Sequence, residues 1–546
     1  MKRKEALVLT VLVTASLVLC LLISRRLWFR LDLTAAKAFT ISPVSRNLYA
    51  EIEDQVRITY FISAKLKSIH PIPGEVEDLL REYAARSRGK ITIHVKDPVK
   101  SNMAETMEQL GIQGQPLETV EQDQASVAMV YSGILIEYLD KIEVLPLVFS
   151  LDTLEYDLTS RIRAMVRGST REAGILVGDA GRSLADDYSY FNETIIRAGY
   201  RVRTINPGEE ISPLLPVLIV LGGAAELDEW ALYRIEYYLR GGGKVLFALE
   251  GVNTDARYTL TAEPAADKGL LAMVSFYGAS VRPVLALDVS SQTIPLTVQG
   301  PGGYPQYQLM RYPFWIAALD QFAAAGHPVV SGFSGADLFW ASPLELNPPE
   351  GVEAETLFST TPEAWLQTQN FYLDPNQSFY FTMEKDQTTG QQILAAALRG
   401  RFPSWFAGIS KPVREGSGEE LPGMIEEAAE SRMVVIGDTD FAASTYIQAV
   451  RSQRNLDLAV KILDWLGTDD DIISIRSRET ASGRLDRITD PEKRLERMAQ
   501  ARFITVFAVP ALVIAAGIFA GMRRRKFLAA DGRSADASGK TGRKNA

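Results

Sequence analysis

The chain has 546 residues, of which 47% are hydrophobic and 23% charged, and its formal net charge is -9. This composition is typical of a globular protein of about three domains, and it excludes a disordered chain and a fibre. The one cysteine, Cys20, excludes disulfide frameworks, cysteine zinc sites and CxxC redox chemistry.

Two uncharged segments, residues 6–23 and 503–522, are predicted to be transmembrane helices. At about 1.5 Å per residue they reach ~27 and ~30 Å, which matches a hydrocarbon core of roughly 30 Å. The basic residues before the first segment are also typical of a signal peptide, but no small-x-small cleavage site follows, so we expect an uncleaved anchor. In the second segment, Gly517 and Gly521 form a GxxxG pair that would let another helix pack closely: the first segment, a second copy or a separate membrane protein.

The distribution of Lys and Arg predicts that both termini are cytoplasmic and that residues 523–546 form a basic cytoplasmic tail. Residues 24–502 would then be extracytoplasmic, outside the cytoplasmic (inner) membrane of a bacterium. Once residues 1–30 and 523–546 are set aside, 44 basic and 64 acidic residues remain, a net charge of -20. A body this acidic repels phosphate backbones and anionic headgroups, which excludes nucleic acid as a partner.

Residues 32–167 are predicted to form a first α/β domain with a thioredoxin-like fold. The predicted elements are a strand at 56–63, a helix at 74–87, a strand at 91–95, a short helix near 104–110, hairpin strands around 127–139 and 142–148, and a closing helix with an apolar stripe of Leu154, Leu158, Ile162 and Met165. Alternation along the second strand points Ile91, Ile93 and Val95 inward. The loop after the first strand contains no cysteine, so this thioredoxin-like layer would be chemically silent.

Residues 171–250 and 431–475 are predicted to form a second α/β domain. Short apolar runs at 173–178, 201–204, 217–221 and 244–249 alternate with helices at 188–198 and 228–240, and residues 433–437 and 455–466 return to the same sheet. Near-continuous apolar strands between helices indicate a doubly wound parallel sheet, similar to that of amidotransferases. Residues 251–430 would be a long α+β excursion or a third subdomain, and residues 490–502 a juxtamembrane helix leading into the second span.

The motifs that could carry catalysis stand in the wrong context. The run Gly241-Gly242-Gly243-Lys244 lies between a helix and the following strand, whereas a phosphate cradle lies between a strand and the following helix. The segment 332–336 approaches the GxSxG elbow of hydrolases, but no histidine follows it in the sequence. We therefore predict no catalytic residue, no cofactor and no metal site.

Four carboxylates fall at the carboxyl ends of predicted parallel strands: Asp179, Glu250, Asp438 and Asp440. Ligands bind at that edge of such sheets, so these residues could hold a cation or receive a basic side chain of a partner. Solvated carboxylates of loops and helix caps remain the alternative interpretation.

Several collinear segments resemble gliding-motility-type (GldG-like) auxiliary proteins of ABC transporters. They begin with Asp32-Leu-Thr, Phe39-Thr-Ile-Ser-Pro43 and VRITYFIS, continue with LRGGGKVL at 239–246, HPVV at 327–330 and AAALRG at 395–400, and end with GDTDF at 437–441, NLDL at 455–458, Trp465-Leu466 and DIISI at 471–475. The resemblance covers nearly the whole predicted ectodomain and both predicted spans. It implies an extracytoplasmic region tethered beside an ABC permease, with a separate ATPase supplying energy and no established catalytic residue. Motility itself does not follow from the resemblance.

The expected function is that of a non-catalytic, membrane-anchored accessory subunit of an ABC-type transport complex. Its expected partners are the permease, the ATPase and an envelope polymer or protein. Two alternatives remain: a membrane-tethered hydrolase or transferase of amidotransferase-like fold that works without cysteine, and a structural, glycan-binding envelope protein.

Overall fold

The computed structural model describes residues 41–468 together with 472 and 475, except for gaps at 113, 122–123, 150, 152, 169–170, 225, 256–258, 267, 300–303 and 415–419. The predicted segments 6–23, 490–502, 503–522 and 523–546 lie outside the described residues, and so do Gly517 and Gly521. Within the described ranges, no helix has both the length and the apolar character needed to cross a membrane.

The described helices are α1 (Pro43–Glu51), α2 (Ala64–Ile69), α3 (Ile72–Arg86), α4 (Ala104–Gln109), α5 (Leu154–Arg167), α6 (Ser189–Arg197), α7 (Glu229–Arg240), α8 (Leu270–Phe276), α9 (Lys385–Thr388), α10 (Ser444–Val450) and α11 (Arg454–Gly467). The described strands are β1 (Val56–Ile62), β2 (Ile91–Lys96), β3 (Gln115–Glu121), β4 (Gln124–Val130), β5 (Ser132–Tyr138), β6 (Lys141–Leu145), β7 (Glu172–Val177), β8 (Arg201–Thr204), β9 (Val217–Leu221), β10 (Lys244–Ala248), β11 (Val252–Asp255), β12 (Thr261–Pro264), β13 (Ala279–Val281), β14 (Leu285–Leu287), β15 (Ser291–Gln299), β16 (Pro305–Ala318), β17 (Ala336–Phe339), β18 (Leu344–Leu346), β19 (Val352–Ser359), β20 (Trp365–Gln367), β21 (Ile393–Gly400) and β22 (Ser431–Ile436). Short 3-10 helices lie at Asp320–Phe322, Pro328–Val330, Pro375–Thr382 and Asp440–Ala442.

The first sheet has four strands in the order β2-β1-β5-β6. Strand β1 is parallel to β2 and antiparallel to β5, and β5 forms an antiparallel hairpin with β6. The predicted strand β1, helices α3, α4 and α5, and hairpin β5–β6 are confirmed. The stripe on α5 packs into this core because its apolar residues recur every three or four positions and so share one face.

Two predictions in this region are wrong. The strand expected around 127–139 is two strands, β4 and β5, which pair with different partners, β3 and β1. Tyr131 lies between them and bonds to Ser63: the Ser63 Oγ accepts from the Tyr131 N–H at 2.9 Å, and the Ser63 N–H donates to the Tyr131 carbonyl at 3.1 Å. Strand β4 pairs with β3 in a separate hairpin. Val95 does not point inward, since its side chain is 38% exposed near the end of edge strand β2.

The central sheet has nine strands, in the order β13-β18-β21-β22-β10-β9-β7-β8, with β19 also paired to β21. Strands β8, β7, β9, β10 and β22 are mutually parallel. This confirms the predicted parallel strands and the return of residues 433–437 to the same sheet. One apolar cluster covers each face, so the sheet lies between two cores.

The sheet is mixed rather than wholly parallel, which corrects the prediction for residues 251–430. Strand β21 lies antiparallel beside β22, and β18, β19 and β13 extend the sheet from there. The segment is therefore not simply an excursion, because it supplies four strands of the central sheet. Strand β21 escaped prediction because its alanines at 395–397 have low β propensity. The same segment also forms the antiparallel sheet β15-β16-β17 and the pairs β11–β12 and β14–β20.

Candidate functional site

The carboxyl ends of β7, β10 and β22 meet at one edge of the central sheet, as parallel strands require. Asp179 follows β7, Glu250 follows β10, and Asp438 and Asp440 follow β22. A cleft of about 410 Å³ opens at this edge. Its lining residues are Asp179, Arg182, Gly222, Ala224, Glu226, Glu250, Asn253, Thr254, Asp255, Thr261, Ala262 and Glu263. Asp438 and Asp440 are not among them.

Arg182 joins the loops after β7 and β22. One of its terminal nitrogens, Nη1, lies 2.6 Å from Asp440 Oδ1 and donates to the Tyr188 hydroxyl at 3.1 Å, and its Nε lies 3.9 Å from Asp179 Oδ2. Burial lowers the pKa of the Arg182 guanidinium, but Asp440 and Tyr188 outweigh it and raise the pKa further, so the side chain is a permanent cation. No local sequence pattern marks Arg182, and it was not predicted.

Asp179 is tied to the neighbouring loop after β9. Its Oδ1 accepts a hydrogen bond from the Gly223 N–H at 2.6 Å. At Gly222, where φ is +69°, a Cβ atom would stand 2.1 Å from Asp179 Oδ2, so this close approach requires glycine. Burial raises the pKa of the Asp179 carboxyl, although the Gly223 N–H and Arg182 oppose that shift.

Glu250 is the half-buried carboxyl that faces the cleft from the end of β10. Burial raises its pKa well above the ordinary value, and repulsion from Asp440 and Asp179 adds to this, while Arg182 opposes it. A carboxyl in this environment retains its proton more readily than one in water, and a protonated carboxyl can donate as well as accept a hydrogen bond.

Asp438 is buried and does not line the cleft; its carboxylate binds two backbone N–H groups. Its Oδ2 accepts from the Phe339 N–H and its Oδ1 from the Asp440 N–H, each at 2.7 Å. Burial and the neighbouring Asp440 raise its pKa well above the ordinary value, while the two N–H donors oppose the shift. Beside it, a Cβ on Gly437 would lie 1.8 Å from the Ser342 carbonyl oxygen, so the chain crosses here at backbone contact. The segment 437–441 thus fastens β17 and the following loop to the sheet.

The other motifs of the sequence also have structural contacts. Gly241–Gly243 ends α7, and its three N–H groups donate to carbonyls of the last turn of that helix, as in a C-terminal cap. Ser334 is exposed and follows a 3-10 helix, whereas a nucleophile elbow follows a strand. His327 accepts from the Val329 N–H through Nδ1 at 3.2 Å.

The cleft offers carboxylates, hydroxyls, an amide and one guanidinium, a set that can receive a cationic or hydrogen-bonding group. Among the described residues, no group of three or more His, Cys, Asp or Glu side chains could hold a metal ion.

Comparison with known proteins gives two family matches. A family described as an ABC-type uncharacterized transport system matches residues 170–462, more than half of the chain. A domain of unknown function, DUF7088, matches residues 35–137. An uncharacterized protein of Borreliella burgdorferi is 23% identical over 534 residues, and the alignment covers 96% of this chain and 100% of that protein.

Proposed function

The chain belongs to the auxiliary family of ABC-type uncharacterized transport systems, and from this membership we propose that it is a non-catalytic, membrane-anchored accessory subunit that binds and couples. An ABC permease and a separate ATPase are its partners in this proposal. The family match is the observation that carries it. The uncharged segments 6–23 and 503–522 support the anchoring.

The contacts of the acidic residues support binding rather than catalysis. Asp438 is occupied by two backbone N–H groups and Asp440 by Arg182. Asp179 and Glu250 remain at the wall of the cleft, where we propose that they receive a basic side chain of a partner. Replacing both by their amides, as Asp179→Asn and Glu250→Gln, keeps the shape of the cleft and removes two of its five carboxyls, so this contact should weaken without loss of folding.

We propose that the first sheet is a thioredoxin-like layer used for packing and binding. Its strand order, with β1 parallel to β2 and β5 antiparallel to β1, supports this assignment. Residues 63–73, which follow β1, contain no cysteine. The layer therefore lacks the thiol pair on which redox chemistry depends.

The proposed location places residues 24–502 outside the cytoplasmic membrane. Protease added to intact spheroplasts should degrade this region and spare a cytoplasmic control protein. Survival of the region until the cells are lysed would contradict the location.

The experiment for the accessory role is purification of the tagged, full-length chain from its host in mild detergent, followed by mass spectrometry. We expect an ABC permease and an ATPase to co-purify. Recovery of the chain without either would contradict the role. Binding to purified cell-wall glycan without those partners would favour the envelope alternative.

A further inference from the structure

Strands β15 and β16 form one long antiparallel hairpin, which together with Tyr304, the residue before β16, we call the aromatic arm (residues 291–299 and 304–318). Its two ends differ in burial. Near Ala318, alternate side chains of β16 enter the core, among them Tyr312, Phe314 and Ile316. From Pro305 to Leu309 every residue of β16 is exposed.

The base of the arm is fixed by hydrogen bonds and ring contacts. The Tyr312 hydroxyl donates to the Leu373 carbonyl at 2.7 Å and accepts from Trp340 Nε1 at 3.2 Å. The Trp315 ring packs edge-on against Trp340 and Tyr446, with ring centroids 5.8 and 5.9 Å apart. A fixed base holds the exposed half in a defined position, which reduces the entropy lost when a partner binds.

The exposed half carries large apolar side chains in water. Tyr304 is 75% exposed, Tyr307 81% and Leu309 72%. Tyr307 and Leu309 lie two residues apart in β16 and so share one face of the hairpin. Opposite them in β15 stand Thr297 and Pro295, so the face is uncharged.

Charge is nearly absent from this part of the chain. Between residues 289 and 319 the only charged residue is Arg311, although 23% of the whole chain is charged. Interface cores between proteins have this composition: they are enriched in Tyr, Met and Arg and depleted of Lys, Glu and Asp. Tyr and Arg also dominate the residues whose truncation weakens binding most.

We propose that the exposed half of the aromatic arm is the surface that docks onto the ABC permease of the transport complex. The inference rests on the proposed function and adds the place of contact. The permease face that receives the arm is apolar and uncharged, since the arm offers rings, methyl groups and a single cation.

Two other occupants fit the arm less well. A second copy could pair with its open edges, but Pro295 and Pro305 cannot donate ladder hydrogen bonds there, and two bodies of net charge -20 repel each other. An anionic lipid surface would select several Lys or Arg residues, whereas the arm has Arg311 alone.

The contact can be tested by photocrosslinking in the host, with p-benzoylphenylalanine placed at Tyr307 of the full-length chain. Leu214, which is 87% exposed outside the arm, serves as the matched position. We expect the adduct at Tyr307 to contain the permease by mass spectrometry, and no such adduct at Leu214. An adduct at Tyr307 with a second copy, a lipid or a glycan would overturn the inference.

Substitution gives a second test. The triple variant Tyr304→Ser, Tyr307→Ser and Leu309→Ser should lower recovery of the permease in mild detergent by about tenfold or more. The control variant Leu214→Ser with Val413→Ser changes residues that are 87% and 84% exposed, and it should keep full recovery. Circular dichroism and the melting temperature should match the wild type in both variants, because all five side chains are in water.

The outcomes separate the two proposals. If the wild-type chain recovers no permease, the accessory role and the docking surface both fail. If the wild type recovers it and the triple variant recovers it equally, the docking surface is wrong and the accessory role stands.

Discussion

The side-chain amide of Asn455 holds the backbone of Asp337 from both sides. Its Oδ1 accepts from the Asp337 N–H at 2.8 Å, and its Nδ2 donates to the Asp337 carbonyl at 2.6 Å. The same Nδ2 donates to the Phe441 carbonyl at 2.7 Å. One buried amide therefore joins α11, β17 and the loop after β22, and it fixes the segment that returns to the central sheet.

Replacement of Asn455 by alanine should destabilise the protein by about 2–4 kcal/mol, because it leaves one buried N–H and weakens the hydrogen bonding of two buried carbonyls. Urea denaturation of the full-length chain measures this free energy of unfolding. Asn347→Ala is the control, since Asn347 is exposed, and it should change the free energy by less than about 0.5 kcal/mol. Equal stability of the two variants would show that the hydrogen bonds of the Asn455 side chain do not stabilise the fold.

Gly437 should tolerate no side chain. Since a Cβ would lie 1.8 Å from the Ser342 carbonyl oxygen, Gly437→Ala must displace backbone, and we expect a loss of about 3 kcal/mol or more. At Gly74, within α3, a Cβ meets no atom within 4 Å, so Gly74→Ala should be neutral or stabilising by up to about 1 kcal/mol. Thermal unfolding distinguishes the two variants. If Gly437→Ala leaves the melting temperature unchanged, the backbones of Gly437 and Ser342 are not in close contact.

The Arg182–Asp440 ion pair should contribute more to the free energy of unfolding than an exposed ion pair does. Asp440 is 3% exposed, so Arg182→Met should cost about 2–4 kcal/mol of unfolding free energy. The pair Arg197–Glu193 has side chains 71% and 56% exposed, and Arg197→Met should cost less than about 1 kcal/mol. In a double-mutant cycle, Arg182→Met with Asp440→Asn should lose less than the sum of the single losses. Strict additivity would exclude the direct interaction.

His327 should make stability depend on pH. Burial, assisted by Arg432, lowers the pKa of His327 from 6.5 to about 4. Between these values the unfolded chain binds a proton that the folded chain does not, so the free energy of unfolding falls as the pH falls from about 6.5 to 4. The whole loss attributable to this residue is up to about 3 kcal/mol. In His327→Asn, which retains an acceptor for the Val329 N–H, this part of the pH dependence should disappear, and an unchanged slope would contradict the burial of a neutral imidazole.

Elements with strong local patterns were predictable from the sequence. The parallel strands β7, β9 and β10 are continuous apolar runs, and α5 repeats its apolar residues at helical spacing. The same reasoning placed Asp179 and Glu250 just after β7 and β10, where they line the cleft, whereas Asp438 and Asp440, after β22, do not line it.

Features that depend on distant contacts were not predictable. Arg182 lies 258 positions from Asp440, and the Asp438 carboxylate meets a backbone N–H 99 positions away. No local pattern reports such pairs. Strand β21 was missed because its alanines have low β propensity, and its place in the sheet is set by pairing with β18, β19 and β22, which no local pattern reports.

The most direct measurement of the accessory role is native mass spectrometry of the complex released from host membranes in mild detergent. We expect a discrete assembly that contains the 60.3 kDa chain together with an ABC permease and an ATPase. Detection of the chain only as a monomer or as multiples of its own mass, or turnover of a substrate by the chain alone, would contradict it.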